Sequence, residues 1–413
     1  MEISDVSQTM FNCIKYEICG QNEQIVLPEV SSQFLIELYK LSKAHDVAHL
    51  VGDALNKSGV FESLPSDMQE SERAAISKIK VKFTEQIFTA VYRYESINYE
   101  LEQICKTLEK AKIPFIPLKG SVIRRYYPEP WMRTSCDIDI LVRKEDLNKT
   151  KNTILKTLGY NESEDRTHHD ISLYSPSGVH LELHYTLIED DRFPNADKIL
   201  NKCWEYADKE HACGSMGIFK DSFFYFYHIL HMAKHVKGGG CGVRPFLDLW
   251  ILNHRIKKNK SERIQLLSEG GIQKFANVAE IISNEWFSKK GKHVPEGFQN
   301  AQNEESVQEL SDYILNGGVY GTLKNRVAVQ RVNKSKFSYL ISRIFLPYRD
   351  LSLLYPDLER HKWLLPFYEV KRWCSILFGG RVKNGINELS ESGKVTREDR
   401  KKIQNLLKNL DIV

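Results

Sequence analysis

Two aspartates, one residue apart, stand in an otherwise apolar run: Asp137 and Asp139 within the segment CDIDILV at 136–142. Alternate residues of a β-strand point to the same face, so the run predicts a strand with both carboxylates on one face and isoleucines on the other. Two carboxylates this close on a buried strand repel each other and are costly to remove from water. A shared cation offsets both effects, and hard oxygen ligands favour Mg²⁺ or Mn²⁺ over Zn²⁺.

The segments on either side of this strand are typical of a phosphate-binding site. Upstream, an apolar run at 113–118 leads into the turn Lys119-Gly120-Ser121 and a short predicted helix. Backbone N–H groups at such a turn, together with the Ser121 hydroxyl, can hold phosphate oxygens, and Gly120 permits a close approach. Downstream, Glu182 lies in a second alternating run at 179–185 and supplies a third carboxylate. Together these features predict a two-metal site for phosphoryl transfer.

The rest of the pattern predicts an α+β fold in which helices flank a small mixed sheet. Helical periodicity over 31–44 and 71–110 predicts an N-terminal helical region, residues 1–110. The order β-α-β-α-β-β that follows predicts a catalytic core over 111–195, in which Gly159 ends the second helix.

Helical patterns return from about residue 196 and predict two further regions. The first, 196–295, is expected to close a cleft between the catalytic core and the helices. A polar stretch at 295–305 is the expected boundary between the two regions. The second, 296–413, is a basic C-terminal helical region: residues 321–413 carry 19 Lys and Arg against 9 Asp and Glu. Such a region either contacts phosphates or an acidic partner, or forms a solvated positive face.

Composition excludes several classes of protein. With 42% hydrophobic and 27% charged residues the chain has the profile of an ordinary soluble protein, and no apolar run approaches the ~20 residues of a membrane span. The N-terminus lacks the basic and then apolar order of a secretion signal, so a cytoplasmic location is expected. The eight cysteines form no CxxC pair, which argues against a zinc-binding framework.

Three segments carry a resemblance to a known family. They are the Lys-Gly turn at 117–121, the strand and its approach at 133–142, and the run Leu-Glu-Leu-His-Tyr at 181–185. These segments resemble the DNA polymerase β-like nucleotidyltransferase superfamily, and more closely the poorly characterised bacterial nucleotidyltransferase-family proteins. The likeness extends more weakly into His231–His235, Arg244 and Asp248, and into 355–366. It implies an enzyme of the nucleotidyltransferase class.

The resemblance also implies roles for individual residues. Asp137, Asp139 and Glu182 are expected to be catalytic and to hold Mg²⁺ or Mn²⁺. The residues expected to bind the nucleoside triphosphate (NTP) are Lys119, Gly120, Ser121, Arg133, Lys234 and His235. The enzyme would move a nucleoside monophosphate from the NTP to a hydroxyl-bearing acceptor and release pyrophosphate. A small-molecule acceptor is favoured over a nucleic acid or a protein.

Other interpretations stay open at this point. The acids could form a structural ion-pair cluster with Arg124, Arg125, Arg133 or Arg143. His228, His231 and His235, which share a helix face, could simply pack against the sheet. Fifteen residues separate Ser121 from Asp137 and the third acid is a glutamate; both differ from the usual superfamily pattern. These departures motivate the alternative of a catalytically idle protein that binds a nucleotide or a partner.

Overall fold

A seven-stranded sheet, formed between residues 115 and 219, lies among helices. This computed structural model describes residues 3–21, 24–189, 192–256, 259–289, 301–332, 335–355, 357–378 and 393–412. None of the helices in these ranges combines the length and the apolarity needed to cross a membrane.

Four helices precede the sheet: α1 (Asp5–Ile18), α2 (Ser32–Ala44), α3 (Ala48–Lys57) and α4 (Glu70–Lys110). The 41 residues of α4 bury one stripe of apolar side chains, which contains Phe83, Ile97 and Ile104. Its first half packs against α2 and α3, and its second half reaches the sheet. The helical patterns at 31–44 and 71–110 are therefore confirmed.

One mixed sheet contains all seven strands. They are β1 (Phe115–Pro117), β2 (Asp137–Val142), β3 (Asn161–Arg166), β4 (Asp170–Tyr174), β5 (His180–His184), β6 (Ala207–Cys213) and β7 (Met216–Phe219). Their order across the sheet is β3-β4-β5-β2-β1-β7-β6. β2 is parallel to β5 and β1 is parallel to β7, whereas the other neighbouring pairs are antiparallel. The strand with the two aspartates is thus central.

The two faces of β2 meet different surroundings. Ile138, Ile140 and Val142 pack with apolar residues of α4 and of α6 (Leu147–Leu158), so this face is a dry core. Asp137 and Asp139 point to the other face, where the short helix α5 (Lys119–Ile123) joins β1 to β2 through two 3₁₀ turns. The alternation predicted for this strand is therefore realised with the acids on the face away from the dry core.

Apart from β6 and β7, the chain after β5 is mostly helical. Their bounds are α7 (Pro194–Leu200), α8 (Asp221–Gly238), α9 (Arg244–Arg255), α10 (Lys260–Glu269), α11 (Gln273–Phe287), α12 (Ala301–Gly317), α13 (Leu323–Gln330), α14 (Lys336–Ile344), α15 (Tyr348–Leu354), α16 (Asp357–Arg360), α17 (Leu365–Phe378) and α18 (Arg397–Asn409). Every residue from Ser222 to Leu230 in α8 is buried, which makes α8 the central helix of this half. A capping box of Thr396 and Asp399 starts α18, which packs on α12 and α13.

The α+β class with flanking helices is confirmed, and the bounds of β2 agree with the prediction. Gly159 ends α6 in the left-handed conformation, with φ of 70°. The prediction that residues from 196 onward are helical is wrong for 207–219, because β6 and β7 form a hairpin that joins the sheet beside β1. β3 was also missed. Of the expected boundary at 295–305, residues 295–300 lie outside the described residues, and 301–305 are helical.

Candidate active site

The register between β2 and β5 brings the three predicted acids together. These strands are parallel, and Asp139 is paired directly with Glu182 while Asp137 is paired with His180. Paired residues of neighbouring strands project to the same face, so all three carboxylates lie on the face away from the dry core. The sequence predicted the strand of each acid but not this cross-strand pairing, which requires the two strands to be adjacent.

Asp139 is the most tightly held of the three acids. It is 3% exposed, and its Oδ1 accepts hydrogen bonds from Lys119 Nζ at 2.9 Å and from His184 Nε2 at 2.9 Å. Burial alone would raise the pKa of Asp139, but the charges of Lys119 and His184 hold it well below its ordinary value. Asp139 is therefore an anion at neutral pH, with two cations on one oxygen.

His184 lies between two carboxylates and was not predicted as a site residue. Its Nε2 lies 2.9 Å from Asp139 Oδ1 and 3.3 Å from Glu182 Oε2. Burial would lower the pKa of His184, but the contacts with Asp139 and Glu182 raise it to about 9, so the ring is protonated at neutral pH. A signal for this role existed, since His184 is two residues after Glu182 on the same strand face.

Asp137 sits at the edge of the cluster and is half-buried. Burial and the charge of Asp139 raise its pKa, as expected for the second of two like charges on one face. Oxygen or nitrogen atoms of Asp139, Glu182 and His184 lie within 4.8 Å of one another, a spacing that could accommodate a metal ion. Asp137 lies outside that group but lines the same cavity.

The Lys-Gly-Ser turn forms the first residues of α5. An added Cβ at Gly120 would lie 3.2 Å from Ser135 Cβ and 3.4 Å from Arg133 Nη1, so only glycine fits there without displacing a neighbour. Lys119 adopts a positive φ of 44°, from which its side chain reaches Asp139. The Ser121 hydroxyl is buried without a hydrogen-bond partner among the described residues, and Ser121 is not part of the cavity wall.

Arg133 is bound to an acid from a distant helix. Its Nε donates to Asp248 of α9 at 2.9 Å, and its Nη2 lies 2.9 Å from the other oxygen of that carboxylate. The hydroxyl of Tyr127 donates to Asp248 at 2.7 Å. Both members of the pair are buried. Burial alone would raise the pKa of Asp248, but the charge of Arg133 outweighs this effect and lowers the pKa. The proposed role of Arg133 in binding a triphosphate stays a prediction.

Helix α8 forms the wall opposite the acids, and its histidines face the cavity. Nε2 of His231 lies 2.9 Å from Nε2 of His235, and His228 Nε2 lies 3.0 Å from the carbonyl of Pro245. Burial and the charge of Lys119 lower the pKa of His231 well below its ordinary value, so this ring is neutral. Lys234 points elsewhere: its Nζ lies 3.7 Å from Glu189, in an adjoining cavity of about 250 Å³.

These walls enclose a cavity of about 410 Å³. Seven of the nine predicted site residues line it: Lys119, Gly120, Arg133, Asp137, Asp139, Glu182 and His235. Ser121 and Lys234 do not. The wall also contains residues that were not predicted: His169, Glu189, Tyr227, Arg244 and Tyr320. Val319 and Tyr320 come from the loop after α12, so the C-terminal region contributes to this cavity.

Comparison with known proteins gives one match. Residues 35–288 match the family model described as "Uncharacterised nucleotidyltransferase". This range covers well over half of the chain and contains all the predicted site residues, so the chain belongs to this family. No curated protein and no solved structure matches significantly. Membership supports nucleotidyl transfer as the general class of chemistry.

Proposed function

We propose that this protein is a Mg²⁺-dependent nucleotidyltransferase that moves a nucleoside monophosphate from an NTP to a hydroxyl-bearing acceptor. The observation that carries the proposal is the direct pairing of Asp139 with Glu182 on parallel strands. Asp137 lies two residues before Asp139 on the same strand face, and all three acids line a cavity of about 410 Å³. Carboxylate oxygens at this spacing suit Mg²⁺ or Mn²⁺. Membership in the nucleotidyltransferase family supports the same chemistry.

Asp137, Asp139 and Glu182 would hold the metal ions, and Mn²⁺ would be an effective substitute because it also accepts carboxylate oxygens. When bound, the metal ions supply positive charge to the entering and leaving oxygens at the α-phosphorus. The acceptor oxygen forms a bond to that phosphorus while the bond to pyrophosphate breaks. Glu182, half-buried at the cavity wall, would receive the hydroxyl proton.

Positive groups around the acids support the binding of a polyanion. Lys119 Nζ is held at 2.9 Å from Asp139, and the backbone of Gly120 lies open to the cavity. Arg244 also lines the cavity, where it contacts Asp46 and Thr134. We assign Lys119, Gly120, Ser121, Arg133, Lys234 and His235 to nucleotide binding. For Ser121 and Lys234 this assignment requires a rearrangement, because neither reaches the main cavity.

One observation favours a second candidate, a nucleotide-binding protein without turnover. Lys119 and His184 both contact the Asp139 oxygen that a metal ion would use. The two cations compete with the metal for this acid, and each must move, or use another oxygen, when the metal binds. In a protein that only binds nucleotide they would instead remain as permanent partners of Asp139.

The decisive test follows the label of α-³²P-NTPs in the presence of Mg²⁺ and a cell extract as the source of acceptors. The wild type should transfer the α-phosphorus and release unlabelled pyrophosphate. Asp137→Asn and Asp139→Asn should lower the rate at least about a hundredfold, because several kcal/mol of metal-derived stabilisation is lost. Glu102→Gln, on the exposed side of α4, is the matched control and should behave as the wild type.

Different outcomes separate the candidates. Nucleotide binding without transfer in any acceptor fraction supports the protein without turnover. Transfer that persists in Asp139→Asn contradicts the proposed chemistry. The acceptor class is read by salt titration: transfer to a nucleic acid should weaken steeply with salt through the basic C-terminal region, whereas transfer to a small molecule should not.

A further inference from the structure

A second cluster of metal-binding side chains lies next to the acids, on the strand that follows in the sheet. β4 is antiparallel to β5, and Asp170 is paired directly with His184. His169 immediately precedes β4 and lines the main cavity. One nitrogen or oxygen atom from each of His169, Asp170 and His184 lies within 4.8 Å of the others. The three residues therefore form a compact donor set of two imidazoles and one carboxylate.

Two members of the cluster are buried, His169 is half-buried, and hydrogen bonds fix the turn that carries two of them. Asp170 is 4% exposed and His184 is 2% exposed. The Thr167 hydroxyl accepts hydrogen bonds from the backbone N–H groups of His169 and Asp170, which fixes the turn that carries both side chains. The rings of His169 and His184 lie nearly parallel, with centroids 5.7 Å apart. Little rearrangement separates this geometry from that of a ligand set.

Asp170 has one oxygen that the cluster leaves unused. Its Oδ2 lies 2.8 Å from Nε2 of His169, whereas its Oδ1 is buried with no hydrogen-bond partner among the described residues. A buried carboxylate oxygen without a hydrogen-bond partner is costly, because nothing compensates the loss of its contacts with water. A cation bound between the carboxylate and the two rings would supply the missing partner.

We propose that His169, Asp170 and His184 form a binding site for a transition-metal ion of the Zn²⁺ class. Two imidazole nitrogens and one carboxylate oxygen are donors that Zn²⁺ accepts, with a fourth position left for water or another ligand, whereas Mg²⁺ prefers oxygen ligands alone. The site differs from the one assigned to the nucleotide-bound Mg²⁺, which uses Asp137, Asp139 and Glu182. His184 adjoins both sites: it contacts Asp139 through Nε2, and it would release its ring proton on binding the ion, because only the neutral imidazole is a ligand.

The test measures metal binding directly and needs no enzymatic activity. Metal-free full-length protein is titrated with Co²⁺ in excess Mg²⁺, which fills the carboxylate site, and the visible absorption bands of Co²⁺ with nitrogen ligands are recorded. Zn²⁺ should then displace one equivalent of Co²⁺. Asp170→Asn and His169→Gln should each weaken Co²⁺ binding at least about tenfold, while circular dichroism shows that both variants are folded.

Two further variants make the result specific. His168→Gln removes the neighbouring histidine, which lies outside the cluster, and should bind Co²⁺ as the wild type does. Asp137→Asn, an acid of the carboxylate site that is outside the cluster, should also retain Co²⁺. Absence of Co²⁺ bands in the wild type, or bands that survive in Asp170→Asn and vanish in Asp137→Asn, would overturn the proposal. Since absorption reports the ion itself, this result is independent of whether the wild type transfers any nucleotide label.

Discussion

Replacing Asp248 by alanine should destabilise the fold strongly, because it leaves a buried guanidinium without its partner. Asp248 is 0% exposed and Arg133 is 8% exposed. The carboxylate accepts from Arg133 at 2.9 Å and from the Tyr127 hydroxyl at 2.7 Å. This ion pair joins α9 to the segment before β2, so its loss also frees the side chain against which Gly120 packs.

The expected magnitude follows from these contacts. Removing one partner of a buried ion pair costs about 3–5 kcal/mol, and a buried hydroxyl that loses its acceptor costs about 1 kcal/mol more. We expect Asp248→Ala to lower the free energy of unfolding by about 5 kcal/mol. The double variant Arg133→Met/Asp248→Leu removes both charges. Its loss should be smaller than the sum of the losses in Arg133→Met and in Asp248→Leu by at least about 2 kcal/mol.

Urea denaturation followed by circular dichroism and tryptophan fluorescence measures these differences. The matched control is Glu398→Ala, which breaks the exposed pair between Glu398 and Lys402 on α18 and should cost less than about 1 kcal/mol. The reasoning about this ion pair is refuted if the free energy of unfolding of Asp248→Ala lies within about 1 kcal/mol of the wild-type value. It is also refuted if the loss in the double variant equals the sum of the losses in Arg133→Met and Asp248→Leu.

Three further predictions concern stability. His45 is fully buried, accepts a hydrogen bond from the N–H of Val243 and has its pKa lowered by burial to about 4. Its contribution to the free energy of unfolding is complete above pH 6.5 and is lost as the pH falls toward 4. In urea titrations at acid pH, His45→Gln should therefore remove a decline in this free energy of about 3 kcal/mol. An added Cβ at Gly240 would overlap the backbone nitrogen of Gly321, so Gly240→Ala should lower the melting temperature, whereas Gly393→Ala, in open space, should not. Thr396→Ala removes the α18 cap and should cost about 1 kcal/mol in urea titrations; no change would contradict the capping box.

Local patterns predicted the centre of the sheet well and its edges poorly. β2 and β5 alternate apolar and polar residues because one face of each packs on a core, and this alternation is visible in the sequence. Of the three missed strands, β3 and β6 are the two edges of the sheet, and their sequences, NESEDR and ADKEHAC, are mostly polar. The third, β7, is an inner strand of only four residues, too short for an alternating pattern to be recognised. Their pairing depends on hydrogen bonds to a neighbouring strand, which no local pattern reveals.

The candidate site shows the same division. Asp137, Asp139 and Glu182 could be identified because each lies on an alternating strand. The partners that surround them could not, because they depend on contacts between distant segments: Arg133 meets Asp248 across 115 residues, and His184 meets Asp139 across 45. Nucleotide binding was predicted for Lys234 because of its position near His231 and His235 on the helix. Its side chain instead lies on the side of α8 that faces Glu189, in the adjoining cavity.

The most direct test of the central claim is isothermal titration of the protein with an NTP analogue whose α,β-bridge resists cleavage, with and without Mg²⁺. The account predicts binding that requires Mg²⁺, that is lost or at least about tenfold weaker in Asp139→Asn, and that is unchanged in Glu102→Gln. Binding of equal strength without Mg²⁺, and equally strong in Asp139→Asn, would contradict the claim that these acids hold a metal-bound nucleotide.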